Sequence, residues 1–181
     1  MKIYKLTAGD DEHMLFLPVD KSDFNRGVFA GDGMPRKHNW HPPRAKLKSD
    51  PFNKGKKLPD IGHVDIGSVV LSQKAIDVLK GHLEPYGELL PLDVEGDTYY
   101  IYNVTTIIDA LDQENSVKRP NGIIKKACFD KSKVPSDMEI FKIPETQRSL
   151  IYFNEIEGEN IMTLIEEQHL NGAQLRLEWE T

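Results

Sequence analysis

TYYIYNVTTIIDALDQENS, Thr98–Ser116, is the most strongly patterned stretch of the chain. Tyr99, Tyr100, Ile101, Tyr102 and Val104 all favour strand, and only Asn103 interrupts their apolar run. A strand apolar on both sides has both faces covered, which places it in the middle of a fold. Beyond Val104 the spacing turns helical. Ile107, Ile108 and Leu111 fall at i, i+1 and i+4, with Asp109 and Asp112 on the other side, which predicts a short helix over Thr105–Leu111. Upstream, Glu88–Val94 and Thr98–Val104 flank Glu95-Gly96-Asp97, a connection with a central glycine that reads as a β-hairpin.

Further out, Ser72 reads as the N-cap of a helix with Ala75, Ile76, Leu79 and Leu83 on one face and Gly81 and Pro85 at its end. Val64–Ile66, Ile123–Phe129, Glu139–Ile143 and Leu150–Phe153 read as strands. Glu159–Leu170 reads as a helix stopped by Asn171-Gly172. Ala173–Trp179 alternates, with Ala173, Leu175, Leu177 and Trp179 opposite Gln174, Arg176 and Glu178, as in a half-exposed strand. At the N-terminus, Lys2–Leu6 and Met14–Leu17 read as strands around the acidic turn Gly9–Glu12. Asp20–Pro59 then loses periodicity. It is rich in Gly and Pro but holds Phe24, Phe29, Trp40 and Phe52, which predicts a long irregular segment draped over the body, with a strand near Gly27–Ala30.

At 181 residues the chain suits one well-buried core, so a single α+β domain over 1–181 is expected. Its mean hydropathy of −0.49 is that of a soluble globular protein. No apolar run approaches the roughly 20 residues that span a bilayer, and no secretory signal is evident near Met1. The one cysteine, Cys128, cannot form an internal disulfide and is expected to be a buried small hydrophobe. A cytoplasmic protein without membrane contact fits these features.

The net charge of −6 is unevenly spread. Met34–Lys57 carries eight Lys or Arg against the single acid Asp50, whereas Ile61 to the end carries 11 basic and 21 acidic residues. A basic loop on an acidic body can bind nucleic acid, bind a protein of complementary charge, or fold back on its own acidic surface. The aromatic residues in loop 34–57 favour the first reading, and the overall pI of about 5.5 disfavours it.

No motif carries catalysis, a cofactor or a metal. His38-Asn39-Trp40-His41 has two histidines, but Pro42 and Pro43 bar a helix beyond them and no glutamate lies between. The glycines form neither G-x-G-x-x-G nor a P-loop. Asp109, Asp112, Glu114 and Asn115 lack the bend glycine and terminal Glu of an EF-hand.

The order of the pieces is informative. Leu58-Pro59-Asp60-Ile61 precedes a strand leading into Val69–Ile76; then come Tyr100–Val104, Ile108–Asp112 with Ser116, an Ile140-Phe141-Lys142 strand, and a helix closed by Leu170-Asn171-Gly172. From Leu58 to Trp179 the chain resembles a bacterial family, first described as a domain of unknown function, of predicted immunity proteins in polymorphic toxin systems. The resemblance implies a non-enzymatic protein whose partner is a cognate protein toxin that it binds and neutralises. It brings no catalytic residues, cofactor or metal. Electrostatic steering of a basic toxin suits the acidic body, and Asp109, Asp112, Glu114, Glu155, Glu157 and Glu159 are the expected toxin-facing residues. The alternative is a nucleic-acid-associated protein using loop 34–57. The expected fold is α+β, with a mixed or mostly antiparallel sheet, a few short helices and a long irregular loop over 20–60.

Overall fold

The computed structural model describes residues 1–7, 12–48, 55–65, 67–146 and 149–181. Twelve strands are β1 (Lys2–Thr7), β2 (Phe16–Pro18), β3 (Arg44–Leu47), β4 (Ile61–Asp65), β5 (Ser68–Leu71), β6 (Gly87–Val94), β7 (Asp97–Val104), β8 (Val117–Lys118), β9 (Ile124–Lys126), β10 (Ile140–Phe141), β11 (Tyr152–Asn154) and β12 (Gln174–Glu180). Among the described residues the three short helices are α1 (Lys21–Asn25), α2 (Gln73–Leu83) and α3 (Ile161–Glu167). The fold is α+β and its sheets are mostly antiparallel, with one parallel pair, β3–β6.

The hairpin β6–β7 is the spine. Its register runs from Gly87↔Val104 to Val94↔Asp97, so the turn holds only Glu95 and Gly96, one residue fewer than expected. Both have positive φ, 54° and 99°, as a type I′ turn requires, and glycine meets that demand at the second position. The six-stranded sheet runs β2-β3-β6-β7-β5-β4 and curls into a nearly closed barrel, its edge strands β2 and β4 touching. Phe16, Phe29, Ala45, Val70, Leu90, Leu92 and Ile101 fill the interior. Both faces of β7 are covered, because Tyr102 and Val104 point outward into a second core with α2, α3 and Phe153. Fully buried, Tyr102 donates its hydroxyl proton to the Leu83 carbonyl (2.9 Å).

A four-stranded sheet, β10-β11-β1-β12, covers that core from the other side. Its far face packs Ile3, Phe141, Tyr152 and Trp179 against Ala110, Leu111 and Phe129. Ile3 pairs with Trp179 but Tyr4 with Leu177, so Glu178 is a bulge residue. The bulge breaks the alternation expected of Ala173–Trp179: Leu177 is exposed and Glu178 buried. Glu178 is satisfied there by Lys5 Nζ (2.6 Å) and the Ala127 amide (2.7 Å).

Two of the quoted sequence pieces meet in space. The Asp60 amide donates to Asn171 Oδ1 (2.9 Å), and Asp60 Oδ2 accepts from the Asn171 amide (3.1 Å). Ser72 Oγ and Lys74 Nζ also donate to this carboxylate (3.2 Å each). This mostly buried group therefore ties the start of β4 and of α2 to the end of α3.

Two expectations are corrected. Thr105–Leu111 is extended, not helical. The amide of Ile108 donates to the Lys142 carbonyl (2.9 Å), the Lys142 amide to Thr106 (2.9 Å), and Asp130 to Ala110 (2.9 Å). These long-range partners take the groups a helix would use, and tertiary pairing overrides spacing. Segment 20–60 is not one irregular loop either. It contains α1, a 3-10 turn at Lys37–Asn39 and β3, which lies inside the six-stranded sheet, while Gly27–Ala30 forms no strand. Asp10, Asp50, Phe52, Lys54 and Ile66 lie outside the described residues.

Candidate functional site

The structure spends part of the basic segment inward. Arg36 donates to the Gly27 and Val28 carbonyls (2.8 and 3.1 Å) and makes a two-pronged contact with Asp32 (2.8 Å to each oxygen). The amides of Arg36 and Lys37 donate to the Glu88 carboxylate (2.8 and 3.2 Å), and Trp40 donates its indole proton to Pro91 (2.8 Å). Asn103, buried in β7, donates to the Met34 carbonyl (2.8 Å). Gly31 lies so close to the Gly67 carbonyl that a Cβ there would stand 1.8 Å away. Lys142, entirely buried, donates its ammonium proton to the Gly31 carbonyl. Burial pushes Lys142 down to about 8, with Asp32 pulling it up. Residues 27–37 are thus a strap held by long-range partners.

His38 and His41 flank an open groove of about 830 Å³ with Arg26, Arg36 and Trp40. His41 Nδ1 sits 3.2 Å from the Asn39 carbonyl. Among the described residues no group of three or more His, Cys, Asp or Glu could hold a metal ion. Cys128 is half-buried, not fully buried as expected, and its thiol donates to the Asn115 carbonyl (3.2 Å).

The six expected acidic residues divide. Asp112 is a turn residue. Its carboxylate accepts from the Glu114 and Asn115 amides (3.1 and 3.0 Å) and from Asn115 Nδ2 (2.7 Å), and these bonds, the Asn115 side chain first, lower its pKa. Asp109 and Glu114 are exposed on the same segment. Glu155, Glu157 and Glu159 are all exposed on the β11–α3 loop. Glu155 pairs with Lys2 (3.2 Å). Glu159 faces His82 Nε2 (3.7 Å), and the other ring nitrogen of His82 donates to buried Glu139 (2.8 Å). The second oxygen of Glu139 accepts from the Ile161 amide at the start of α3.

Asn160 fixes this loop. Oδ1 of this buried side chain caps α3 by accepting from Met162 and Thr163 (3.0 and 3.1 Å), and Thr163 Oγ1 accepts from the Asn160 amide (3.1 Å), completing a capping box. The Nδ2 group donates to the Ile156 and Gly158 carbonyls (3.2 Å each). Every valence of the amide is used, and the backbone bearing Glu157 and Glu159 is set before anything binds.

Glu155 and Glu157 line an open cavity of about 560 Å³ with Asp137, Asn154, Ile156 and Lys131. Asn154 is buried, and its Oδ1, itself shielded from solvent, has no hydrogen-bond partner among the described residues. The three carboxylates of this lining, Asp137, Glu155 and Glu157, suit a hydrogen-bond donor or a cation. Asp137, Asn154 and Asn160 were missed from the sequence. The one visible signal was Asn160 itself, an N-cap residue type three positions before Thr163.

No protein-family model matches the chain, and no curated protein is similar to it. Among the described residues no helix is long and apolar enough to cross a membrane.

Proposed function

We propose that this protein is an immunity protein that binds a cognate bacterial toxin directly and neutralises it, without catalysis of its own. The observation that carries the reading is the Asn160-pinned loop presenting Glu155, Glu157 and Glu159 beside a cavity lined by Asp137, Glu155 and Glu157. A loop ordered in the free protein loses little freedom on binding, which leaves more of the contact energy as affinity. Clustered carboxylates steer a basic partner and raise its association rate. Toxins that act on nucleic acids are commonly basic, and an arginine of such a partner fits the cavity wall by its fork of donors. The family resemblance over Leu58–Trp179 points the same way.

Co-expression with whatever toxin-like gene lies beside this one tests the reading. Rescue of growth together with co-purification of the two proteins is expected; loss of both with a demonstrably toxic neighbour overturns it. The second reading, nucleic-acid association through segment 34–57, draws on the groove lined by Trp40, Arg26 and Arg36. It predicts micromolar retention of single-stranded nucleic acid in filter binding at physiological salt, whereas the immunity reading predicts none.

A further inference from the structure

The basic segment has an outward side that the acidic loop does not account for. Residues 15, 17 and 19 alternate along β2 and its flanks, with Phe16 between them turned into the barrel. Leu15 and Leu17 are 37% exposed and Val19 45%. The antiparallel register sets Leu17 opposite Lys46. Hydrogen bonds on either side, Lys48 amide to Leu15 carbonyl (2.8 Å) and Val19 amide to Arg44 carbonyl (2.9 Å), set Leu15 beside Lys48 and Val19 beside Arg44. An aliphatic row therefore runs alongside a cationic row on one sheet face. At about 6.6 Å between alternate residues, each row is about 13 Å long. Isolated exposed leucines need no explanation, but a contiguous row rimmed by charge marks an interaction surface.

We propose that this outer face of β2 and β3 docks an acidic segment of a partner protein that also carries aliphatic side chains. Its carboxylates meet Arg44 and Lys46, and its aliphatic groups cover Leu15, Leu17 and Val19. Charge selects a protein segment over an anionic lipid surface. On the next strand Asp93 lies beside Arg44 (3.8 Å), and Glu95 reaches the Leu47 amide (3.5 Å), so carboxylates border the cationic row. A narrow segment lies along the two rows without meeting them. A lipid surface spreads in every direction and meets both these carboxylates and the acidic remainder of the chain. The surface belongs to the barrel, not to the sheet that carries Glu155 and Glu157, and the inference stands without the toxin reading.

Selection of a random peptide display library against the intact protein tests it. Enriched peptides are expected to combine Asp or Glu with Leu, Ile or Val, and to bind the Leu17→Ser/Lys46→Glu variant at least tenfold more weakly. Both side chains are exposed and the variant is expected to melt as the parent does; should it not, Lys46→Glu alone replaces it, with a loss of at least threefold. Enriched peptides without acidic residues, or equal binding to the variant, overturn the proposal. So does co-sedimentation of the protein with phosphatidylserine-containing vesicles that the same substitutions abolish.

Discussion

Lys142→Met tests whether the strap is held over a buried charge. Lys142 has no exposed surface, and its ammonium donates to the Gly31 carbonyl. Its folded pKa falls from 10.5 to about 8, chiefly through burial. A lysine whose folded value lies below its unfolded one opposes folding wherever both states hold the proton, here below about pH 8. The opposition fades as pH climbs from about 8 toward 10.5, because the unfolded chain then holds more protons than the folded one. At about 1.36 kcal/mol per pKa unit the full cost is about 3 kcal/mol. Methionine of similar length removes it but strands the Gly31 carbonyl, a loss of about 1 kcal/mol. The variant is therefore expected to be about 2 kcal/mol more stable than the parent at pH 7 and about equal at pH 10. Urea unfolding of both proteins at pH 7, 8, 9 and 10 measures this. Taking the difference between the two cancels the other tyrosines and lysines that titrate in that range. An advantage that stays constant or grows with pH refutes the argument.

Four further variants test particular bonds and one exposed helix position. Asn160→Asp keeps the acceptor that caps α3 but turns a carboxylate oxygen toward the Ile156 and Gly158 carbonyls, so toxin affinity is expected to fall severalfold in a binding titration and stability to fall by about 1–3 kcal/mol in urea unfolding; Asn160→Ala removes the cap as well as these donors and is expected to lower stability by about 2 kcal/mol. Asp60→Ala strands Asn171, Ser72 and Lys74 together and is expected to cost about 3 kcal/mol in chemical denaturation. Gly81→Ala, at an exposed site inside α2 with open space around it, is expected to add about 0.5–1 kcal/mol, read as a higher melting temperature.

What was legible in the sequence was local. The β6–β7 hairpin, the Ser72 cap with its Ala75-Ile76-Leu79-Leu83 face and the N-terminal β1 each declare themselves within a dozen residues, and each is present. Helix α2 runs through Gly81 to Leu83 because packing of Leu79 and Leu83 outweighs one exposed glycine. Elements defined by distant partners stayed hidden. Thr105–Leu111 carries helical spacing, yet its backbone groups pair with Lys142 and Asp130. Strand β3 does alternate, Arg44-Ala45-Lys46-Leu47, but with alanine as its inward residue the signal drowned among prolines. The Glu178 bulge inverted one end of a correctly read strand.

The acidic residues show the same limit. Composition flagged the carboxylates, and three of them, Glu155, Glu157 and Glu159, do share one exposed loop. Nothing in composition separates these from Asp112, whose oxygens are occupied by its own turn. The difference lies in hydrogen bonds made by Asn160 and in the wall contributed by Asp137 and Asn154, all assembled only by the fold.

The most direct test is the association rate of the protein with its cognate toxin, followed by stopped flow from low to physiological salt. With Glu155, Glu157 and Glu159 replaced by lysine, association at low salt is expected to slow at least tenfold and its salt dependence to flatten. An unchanged rate with an unchanged salt dependence would contradict toxin capture through this loop.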